Sequence, residues 1–199
     1  MAKRLLDLVL SALGLLLLGP LLFAIAVWIK LDSAGPVFFR QERVGRFGVP
    51  FRIHKFRTMV DGAEARDAQL TVGRDARITR VGARLRRAKL DELPQLIDVL
   101  AGTMSLVGPR PEVARYVALW PDGLRAKVLS VRPGITDSAS IAYRDEGGLL
   151  AAAADPERVY AEVVLPAKLK LAADDVDRAS LGHDLHLIAR TLRVLVFKR

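Results

Sequence analysis

Residues 5–29 read LLDLVLSALGLLLLGPLLFAIAVWI, and this stretch decides how the rest of the chain is placed. It holds a single charged residue, Asp7. A bilayer is crossed by about 20 consecutive apolar residues, so the segment is long enough to do so. A secretory signal peptide has a shorter apolar core that is followed by a small-residue cleavage site. Here the run is longer and no such site follows it, so we predict a membrane segment.

Pro20 interrupts this segment directly after Gly19 and argues against a straight span. A proline inside a helix removes a backbone hydrogen bond and clashes with the preceding turn. The arm before it, residues 5–18, would be about 21 Å long, which is short of the roughly 30 Å hydrocarbon core. We therefore predict that residues 1–31 form a proline-broken, re-entrant membrane helix. A kinked transmembrane helix is the alternative.

The charges that flank the segment predict its orientation. Loops rich in lysine and arginine stay on the cytoplasmic side of a membrane. Both flanks are basic, through Lys3, Arg4, Lys30, Arg40, Arg43 and Arg46. Both ends of the helix are therefore expected in the cytoplasm, which a re-entrant helix allows and a single span does not.

The composition of the chain limits the chemistry it can perform. Its 199 residues predict one domain over 1–199, in which a body over 32–199 follows the membrane segment. The net charge of +9 favours an anionic partner, namely nucleic acid, anionic lipid or a phosphorylated substrate. There are no cysteines, only three histidines, and neither a Walker phosphate loop nor a G-x-G-x-x-G pattern. Enzymatic chemistry would therefore rest on carboxylates, arginines and lysines.

The first part of the body has the pattern of a β-hairpin. Residues 37–39 and 51–53 are rich in strand-forming side chains, and VGRFG (44–48) supplies a turn between them. We expect the hairpin on the membrane surface. In KFRTM (55–59), Lys55 and Arg57 would share one face of a strand. An exposed basic edge that discourages aggregation is the alternative interpretation of these two residues.

Two helices are predicted around a pair of adjacent carboxylates. TRVGARLRRAKL (79–90) is typical of an amphipathic helix with a basic face. The next stretch, KLDELPQLIDVLAG (89–102), becomes an apolar helix that Gly102 should end. Asp91 and Glu92 precede Pro94, so a structural interpretation is that one of them caps this helix.

A third helix is predicted at the end of the sequence, in HDLHLIARTLRVLVFKR (183–199). Leu185, Ile188, Leu192 and Leu195 fall on one face, and Arg190 is among the charges beside them. Such a helix would lie on an anionic membrane surface, or pack into the core with a basic outer side. The sequence favours neither.

These stretches together resemble the bacterial sugar transferase family, the small monotopic phosphoglycosyl transferases. The matching segments keep the family's order over nearly the whole chain. They are the proline-broken helix, GPVFFRQERVG (35–45), KFRTM (55–59), LDELPQL (90–96), SLVGPRP (105–111) and RPGIT (132–136). Two positions depart from the family's usual pattern. Gly19 stands where a serine commonly precedes the helix-breaking proline, and DSASIAYRDEGG (137–148) replaces a Gly-Trp form, which places the chain in the short, single-domain branch.

The resemblance implies an α+β fold, with the re-entrant helix, the surface hairpin and a mainly helical cytoplasmic catalytic body that carries amphipathic interfacial helices. It implies an enzyme at the cytoplasmic face of the bacterial inner membrane. That enzyme would transfer a sugar-1-phosphate from a UDP-sugar to undecaprenyl phosphate, with Mg²⁺ as cofactor and UMP as the released product. The transfer would start the assembly of a bacterial polysaccharide, O-antigen or glycoprotein glycan.

The resemblance also assigns roles to residues. Asp91 would be the nucleophile and Glu92 its partner, and both are expected to contact the metal. The ping-pong reaction would pass through an aspartyl phosphosugar. Arg110, Arg86, Lys55 and Arg57 would bind phosphate.

Phosphate chemistry accounts for this mixture of charges. A carboxylate that approaches a diphosphate is repelled unless arginines, a divalent metal or a helix N-terminus neutralise the phosphates. A basic, non-enzymatic membrane adaptor is the competing interpretation, but it would not need carboxylates inside its basic patch. Binding of nucleic acid is disfavoured, because it usually needs aromatic residues among the basic ones, whereas Trp28 sits in the apolar segment and Trp120 lies far from the arginines.

Overall fold

A computed structural model of the protein describes residues 1–63 and 75–197. The mixture of helices and strands expected from the sequence is confirmed, whereas the single-domain organisation stays a prediction. In the described ranges the elements follow in the order α1 (Ala2–Asp32), β1 (Phe38–Val44), β2 (Pro50–Phe56), α2 (Arg80–Ala88), α3 (Gln95–Ala101), β3 (Ser105–Val107), α4 (Ala114–Val117), α5 (Asp122–Val128), β4 (Gly134–Thr136), α6 (Ser138–Ala142), α7 (Glu146–Ala151), α8 (Pro156–Val159), α9 (Leu165–Asp177) and α10 (Leu181–Phe197).

The helix α1 is a single element of 31 residues, about 46 Å long at the usual rise per residue. Helical structure continues through Pro20, so α1 is one element, and a break or bend of its axis at this residue stays a prediction. The missing N–H of one proline removes one hydrogen bond, and the hydrogen bonds on either side keep the residues helical. In the most apolar 18-residue stretch of α1, only 11% of the residues are buried, whereas the core helix of a soluble protein is mostly buried. The helix is long and apolar enough to cross a membrane.

The first turns of α1 are bound to the body by polar contacts. Lys3 Nζ donates to the carbonyl of Val107 at 3.0 Å and to Asp184 at 2.6 Å. The Asp7 carboxylate is buried and accepts hydrogen bonds from Ser105 Oγ (2.9 Å) and from the Leu106 amide (3.0 Å). The N-terminal end of the apolar helix is therefore held against β3 and α10.

The last turns of α1 are bound to the body as well, by apolar packing. Ile25 and Ile29 are buried in a cluster with Phe56 of β2 and with Val81 and Leu85 of α2. Since both ends of α1 contact the same body, the helix lies along it. This arrangement is compatible with the predicted re-entrant placement.

The predicted hairpin is present as β1 and β2. They pair antiparallel with Phe38 opposite Phe56 and Val44 opposite Pro50, and a 3₁₀ turn at Arg46–Gly48 joins them. One face of β2 packs Ile53 against Val99 and Met104 beneath α3. The location of the hairpin on a membrane stays a prediction.

Two short parallel strands hold the loop that carries Arg110. β3 and β4 pair through Ser105 with Gly134 and through Val107 with Thr136. A Cβ on Gly134 would lie only 2.1 Å from the Gly108 amide nitrogen, so the two segments touch through their backbones. The sequence pattern shows these segments as loops, because three-residue strands are too short to display alternation.

The largest apolar cluster lies between α4, α5, α9 and the single π-helical turn Tyr160–Val164 that precedes α9. Tyr116 and Tyr160 meet edge to face in it, with 4.7 Å between ring centroids. Pro166 enters α9 in its first turn, where a proline is tolerated. This cluster forms the support behind the Arg110 loop.

The helix α10 turns its leucine face outward. Leu185, Leu192 and Leu195 are exposed by 51%, 57% and 38%, whereas Leu187 is fully buried. The alternative in which this face packs into the core is therefore wrong, and a membrane surface remains as the predicted partner of α10. The last two residues of the predicted segment lie outside the described ranges.

Candidate active site

The two adjacent carboxylates lie on a tight turn between two helices. α2 ends at Lys89, whose left-handed backbone (φ 57°) redirects the chain into the 3₁₀ turn Leu90–Glu92. Pro94 is the N-cap residue of α3, and neither Asp91 nor Glu92 makes a capping hydrogen bond. The capping interpretation is therefore wrong. The expected end of α3 at Gly102 (φ 86°) is confirmed.

Glu92 is the centre of a buried ion cluster. Both of its oxygens accept from the guanidinium group of Arg110, with Nη1 at 3.0 Å from Oε2 and Nη2 on Oε1. Lys55 Nζ donates to Oε1 at 2.8 Å. The three side chains are exposed by 13% for Glu92, 15% for Lys55 and 31% for Arg110. The carboxylate thus joins β2, the 3₁₀ turn and the Arg110 loop.

Burial and charge act in opposite directions on Glu92. Burial would raise the pKa of Glu92, but the charges of Arg110 and Lys55 outweigh it and hold that pKa well below its usual range. The same carboxylate raises the pKa of Arg110. Burial lowers the pKa of Lys55 despite its contact with Glu92. Glu92 is therefore ionised and bound at neutral pH.

Asp91 is in a different state, although it is the next residue. Its side chain is buried, and within residues 1–63 and 75–197 its carboxylate accepts no hydrogen bond. Burial raises the pKa of Asp91, and the neighbouring Glu92 charge raises it further. A desolvated carboxylate without hydrogen bonds is a strong nucleophile, because no donor has to leave before it attacks.

Arg86 is the cation of α2 that acts on Asp91. Burial lowers the pKa of Arg86, and the charge of Asp91 is the largest effect in the opposite direction. Arg86 therefore offers Asp91 positive charge from a second side, while Lys55 does so from β2. The structure therefore brings together five of the six residues assigned roles by sequence, namely Asp91, Glu92, Lys55, Arg86 and Arg110.

Arg57 is held elsewhere and does not join this cluster. Its guanidinium group donates to the carbonyls of Ser33 and Ala34 and to Ser33 Oγ, and the residue is only 4% exposed. β2 ends at Phe56, so the strand alternation that would place Arg57 beside Lys55 stops one residue earlier. In the structure these contacts fix the chain where α1 ends, and the phosphate-binding role of Arg57 stays a prediction.

The backbone of Arg110 is fixed from two directions. Its amide donates to the buried Asp137 carboxylate at 3.2 Å, and the same carboxylate caps α6 by accepting from Ser140 N at 2.7 Å. On the other side, Arg43 Nη1 reaches the carbonyl of Pro111 at 3.2 Å. The proline-locked loop therefore presents its guanidinium group from a rigid base.

A second buried ion pair lies behind this loop and was missed at the level of sequence. Glu112 accepts from Arg43 at 2.9 Å and from the hydroxyl of Tyr160 at 2.6 Å. A glutamate directly after the second proline of the Arg110 loop is a signal that could have indicated it. Tyr160 has no such signal, because 48 residues separate it from Glu112.

Asp91 and Glu92 differ in how readily their oxygens could bind Mg²⁺. Among the described residues no group of three or more acidic or histidine side chains could hold a metal ion. Mg²⁺ is often held by one or two carboxylates together with substrate phosphates and waters, so a larger cluster is not needed. Asp91 has free oxygens for such a contact. Those of Glu92 are occupied by Arg110 and Lys55.

Comparison with known proteins places this arrangement in a family. The sequence profile described as bacterial sugar transferase matches residues 1–198 of the chain. The chain belongs to the bacterial sugar transferase family.

The names of individual relatives describe donor and acceptor classes. A UDP-N-acetylgalactosamine-undecaprenyl-phosphate N-acetylgalactosaminephosphotransferase of Aeromonas hydrophila is 37% identical over 98% of the chain. A UDP-glucose:undecaprenyl-phosphate glucose-1-phosphate transferase of Caulobacter vibrioides is 41% identical over 98% of the chain. An exopolysaccharide production protein PSS of Rhizobium leguminosarum is 50% identical over 70% of it. The matched regions make up 43%, 69% and 72% of these relatives, so the chain spans less than half of the first.

The opposite states of Asp91 and Glu92 predict opposite effects of their substitution on stability. The raised pKa of Asp91 means that its ionisation costs more in the folded chain, a penalty that is present at neutral pH and absent below its ordinary range. The lowered pKa of Glu92 adds stability above its ordinary range, which is lost as the pH falls through the folded-state value. At pH 7, Asp91→Asn should raise the Tm, and Glu92→Gln should lower the stability by about 3 kcal/mol, because it leaves two buried cations without a partner.

Thermal unfolding of the two variants in detergent, followed by circular dichroism from pH 7 to pH 4, measures this difference. The gain from Asp91→Asn should shrink as the pH falls. Equal destabilisation by both substitutions at pH 7 would contradict the electrostatic assignment.

Proposed function

We propose that this protein transfers a sugar-1-phosphate from a UDP-sugar to undecaprenyl phosphate and releases UMP. The observation that carries the proposal is the pair of neighbouring carboxylates inside a set of buried cations, with Asp91 free and Glu92 fully bound. The names of the Aeromonas and Caulobacter relatives support this donor and acceptor class. The reaction would be the first membrane step in the assembly of a bacterial glycan.

Donor binding begins with an exchange of partners at Arg110. A phosphate group presents paired oxygens to a guanidinium fork as a carboxylate does, and it carries more charge. The donor diphosphate therefore replaces Glu92 on Arg110 and Lys55. Glu92 occupies the phosphate position in the free enzyme and is released beside Asp91 as the donor enters.

Asp91 then acts as the nucleophile. A carboxylate oxygen of Asp91 forms a bond to the phosphorus that carries the sugar, and the bond from that phosphorus to the bridging oxygen breaks. The electron pair leaves with UMP, and an aspartyl phosphosugar remains. An oxygen of undecaprenyl phosphate attacks the same phosphorus and frees Asp91, so the turnover is ping-pong.

Mg²⁺ fits this site through Asp91 and through Glu92 once Glu92 has been released. When bound, the ion would supply neutralising charge for the diphosphate. The roles proposed for the residues of the chain are the same with and without the ion. Arg110 and Lys55 bind phosphate oxygens, and Arg86 supports the Asp91 carboxylate from α2.

The placement of α1 suits a lipid acceptor. Both ends of α1 are bound to the body, through Lys3 and Asp7 at the start and through Ile29 near the end. We therefore propose a monotopic protein on the cytoplasmic face of the inner membrane, with α1 entering and leaving by one leaflet. The acceptor phosphate at headgroup level then meets Asp91 without leaving the bilayer.

Mass spectrometry of the protein after incubation with UDP-sugars in the absence of acceptor tests the nucleophile. A sugar-phosphate adduct should appear on the peptide that contains Asp91, together with one UMP per active enzyme. Asp91→Asn should give neither, because the first half-reaction needs this oxygen. Glu92→Gln should retain some adduct while turnover falls.

Two outcomes would contradict this assignment. An adduct on Glu92 would exchange the roles of the two residues. If no sugar in a broad panel of UDP-sugars releases UMP, the non-enzymatic adaptor becomes the better interpretation.

The exchange at Arg110 has its own test in the binding of UDP, which lacks the sugar to be transferred. Glu92→Gln should bind UDP about tenfold more tightly than the wild type in calorimetry without Mg²⁺, because no carboxylate competes for Arg110 and Lys55. Glu112→Gln is the matched control, since it removes a buried carboxylate from the neighbouring ion pair with Arg43. Unchanged or weaker UDP binding by Glu92→Gln would refute the exchange.

Single cysteines test the proposed topology, because the chain contains none of its own. Ala2→Cys and Ser33→Cys should both be protected from an impermeant thiol reagent in intact cells and both react after lysis. Labelling of Ala2→Cys from outside, with Ser33→Cys still protected, would show a transmembrane span.

A further inference from the structure

One face of α2 carries three arginines that the reaction does not use. Arg80, Arg84 and Arg87 follow the spacing i, i+4 and i+7, so they share one side of the helix, and all three are exposed. We call them the arginine ridge. Within the described residues, none of the three has a hydrogen bond or an ion pair. Arg86, on another side of the same helix, faces Asp91.

Three exposed arginines elsewhere in the body have acidic partners: Arg115 pairs with Glu157, Arg125 with Asp122, and Arg158 with Glu162. The ridge differs from these pairs, because three arginines lie together on one face and none has an acidic partner within the described residues. An ordinary solvated surface has charges of both signs interspersed. The ridge leaves positive charge available to an external anion.

The ridge lies where the apolar helix α1 ends. The opposite side of α2 buries Val81 and Leu85 against Ile25 and Ile29 of α1. The Asp32 carboxylate, in the last turn of α1, accepts from the Val81 amide at 3.0 Å. The position of α2 relative to the end of α1 is therefore fixed by both apolar and polar contacts.

Trp28 connects the ridge with the apolar surface. The guanidinium carbon of Arg84 lies 5.6 Å from the centroid of the Trp28 ring, and Trp28 is 42% exposed. Tryptophan is enriched at the level of lipid headgroups, and arginine extends its charge from there towards phosphate. The pair marks the headgroup level at this end of α1.

We propose that the arginine ridge binds the phosphate headgroups of anionic phospholipids where α1 leaves the bilayer. The inference rests on the membrane placement of α1 given under the proposed function. Basic residues beside a membrane are attracted to anionic lipids, and the ridge lies on the helix that packs against the last turns of α1. Because α2 also carries Arg86, the lipid contact sets the height of Asp91 relative to the headgroups.

Fluorescence of Trp28 measures which lipid lies beside the ridge. The chain has two tryptophans, so Trp120→Phe leaves Trp28 as the sole reporter. This protein is reconstituted into phosphatidylcholine vesicles with a fixed share of phosphatidylglycerol, and either one lipid or the other carries bromine as quencher. From the contribution of each arginine near an anionic surface, we expect phosphatidylglycerol to be enriched about fivefold or more around Trp28.

The triple variant Arg80→Gln, Arg84→Gln, Arg87→Gln should bring this enrichment close to one. The triple variant Arg115→Gln, Arg125→Gln, Arg158→Gln removes the same charge elsewhere and should leave it unchanged. Equal quenching by the two lipids in the starting protein, or equal loss in both triple variants, would overturn the proposal. So would loss of the enrichment on addition of about one undecaprenyl phosphate per protein, which would assign the ridge to the acceptor.

The assay separates this proposal from the proposed function. It uses neither donor nor acceptor turnover, so UMP release measured in the same vesicles is an independent result. Enrichment without UMP release would support the ridge and refute the reaction. UMP release without enrichment would support the reaction and refute the ridge proposal. Absence of quenching by both lipids would remove the membrane contact of Trp28 and with it the ridge proposal.

Discussion

The buried carboxylate of Glu92 is the constraint on which the arrangement of the site depends. A charge in a protein interior must be paired and hydrogen-bonded, since an unpaired one costs several kcal/mol. Glu92 meets this need with a bidentate contact to Arg110 and a contact to Lys55. These three residues come from three separate segments of the chain. The need to neutralise one charge therefore fixes the hairpin, the 3₁₀ turn and the proline-locked loop relative to each other.

Much of the local structure could be predicted from sequence, because local patterns determine it. The apolar helix, the hairpin and the end of α3 at Gly102 follow from composition, strand formers and a glycine with positive φ. The separation of Arg57 from the Glu92 cluster was not predicted, because strand alternation gives no warning that β2 ends at Phe56. The Arg43–Glu112 pair was missed because its partners are far apart in sequence. Contacts between distant segments depend on packing that no short window records.

Asp7 shows how α1 can have one side bound to the body of the protein and another side exposed. Asp7 would be costly in hydrocarbon, and Ser105 and the Leu106 amide satisfy it instead within the protein. Its charge is therefore a contact with the body and does not exclude the rest of the helix from lipid. The exposed leucines of α1 and the buried Asp7 belong to one helix with two sides. The sequence shows the charge as an irregularity, and the structure gives it a function in placement.

Asp91 and Glu92 are chemically similar neighbours, and their surroundings make them different. Two carboxylates acquire separate roles when their environments push their pKa values apart. Here Glu92 receives the strong donors, so its pKa falls, whereas Asp91 receives burial and a like charge, so its pKa rises. The same surroundings that stabilise one carboxylate leave the other poorly solvated. In the proposed reaction, a substrate phosphate that takes the donors from Glu92 reaches Arg110 next to Asp91, whose carboxylate accepts no hydrogen bond within the described residues. The ion cluster at Glu92 and the raised pKa of Asp91 are two consequences of the same distribution of charge.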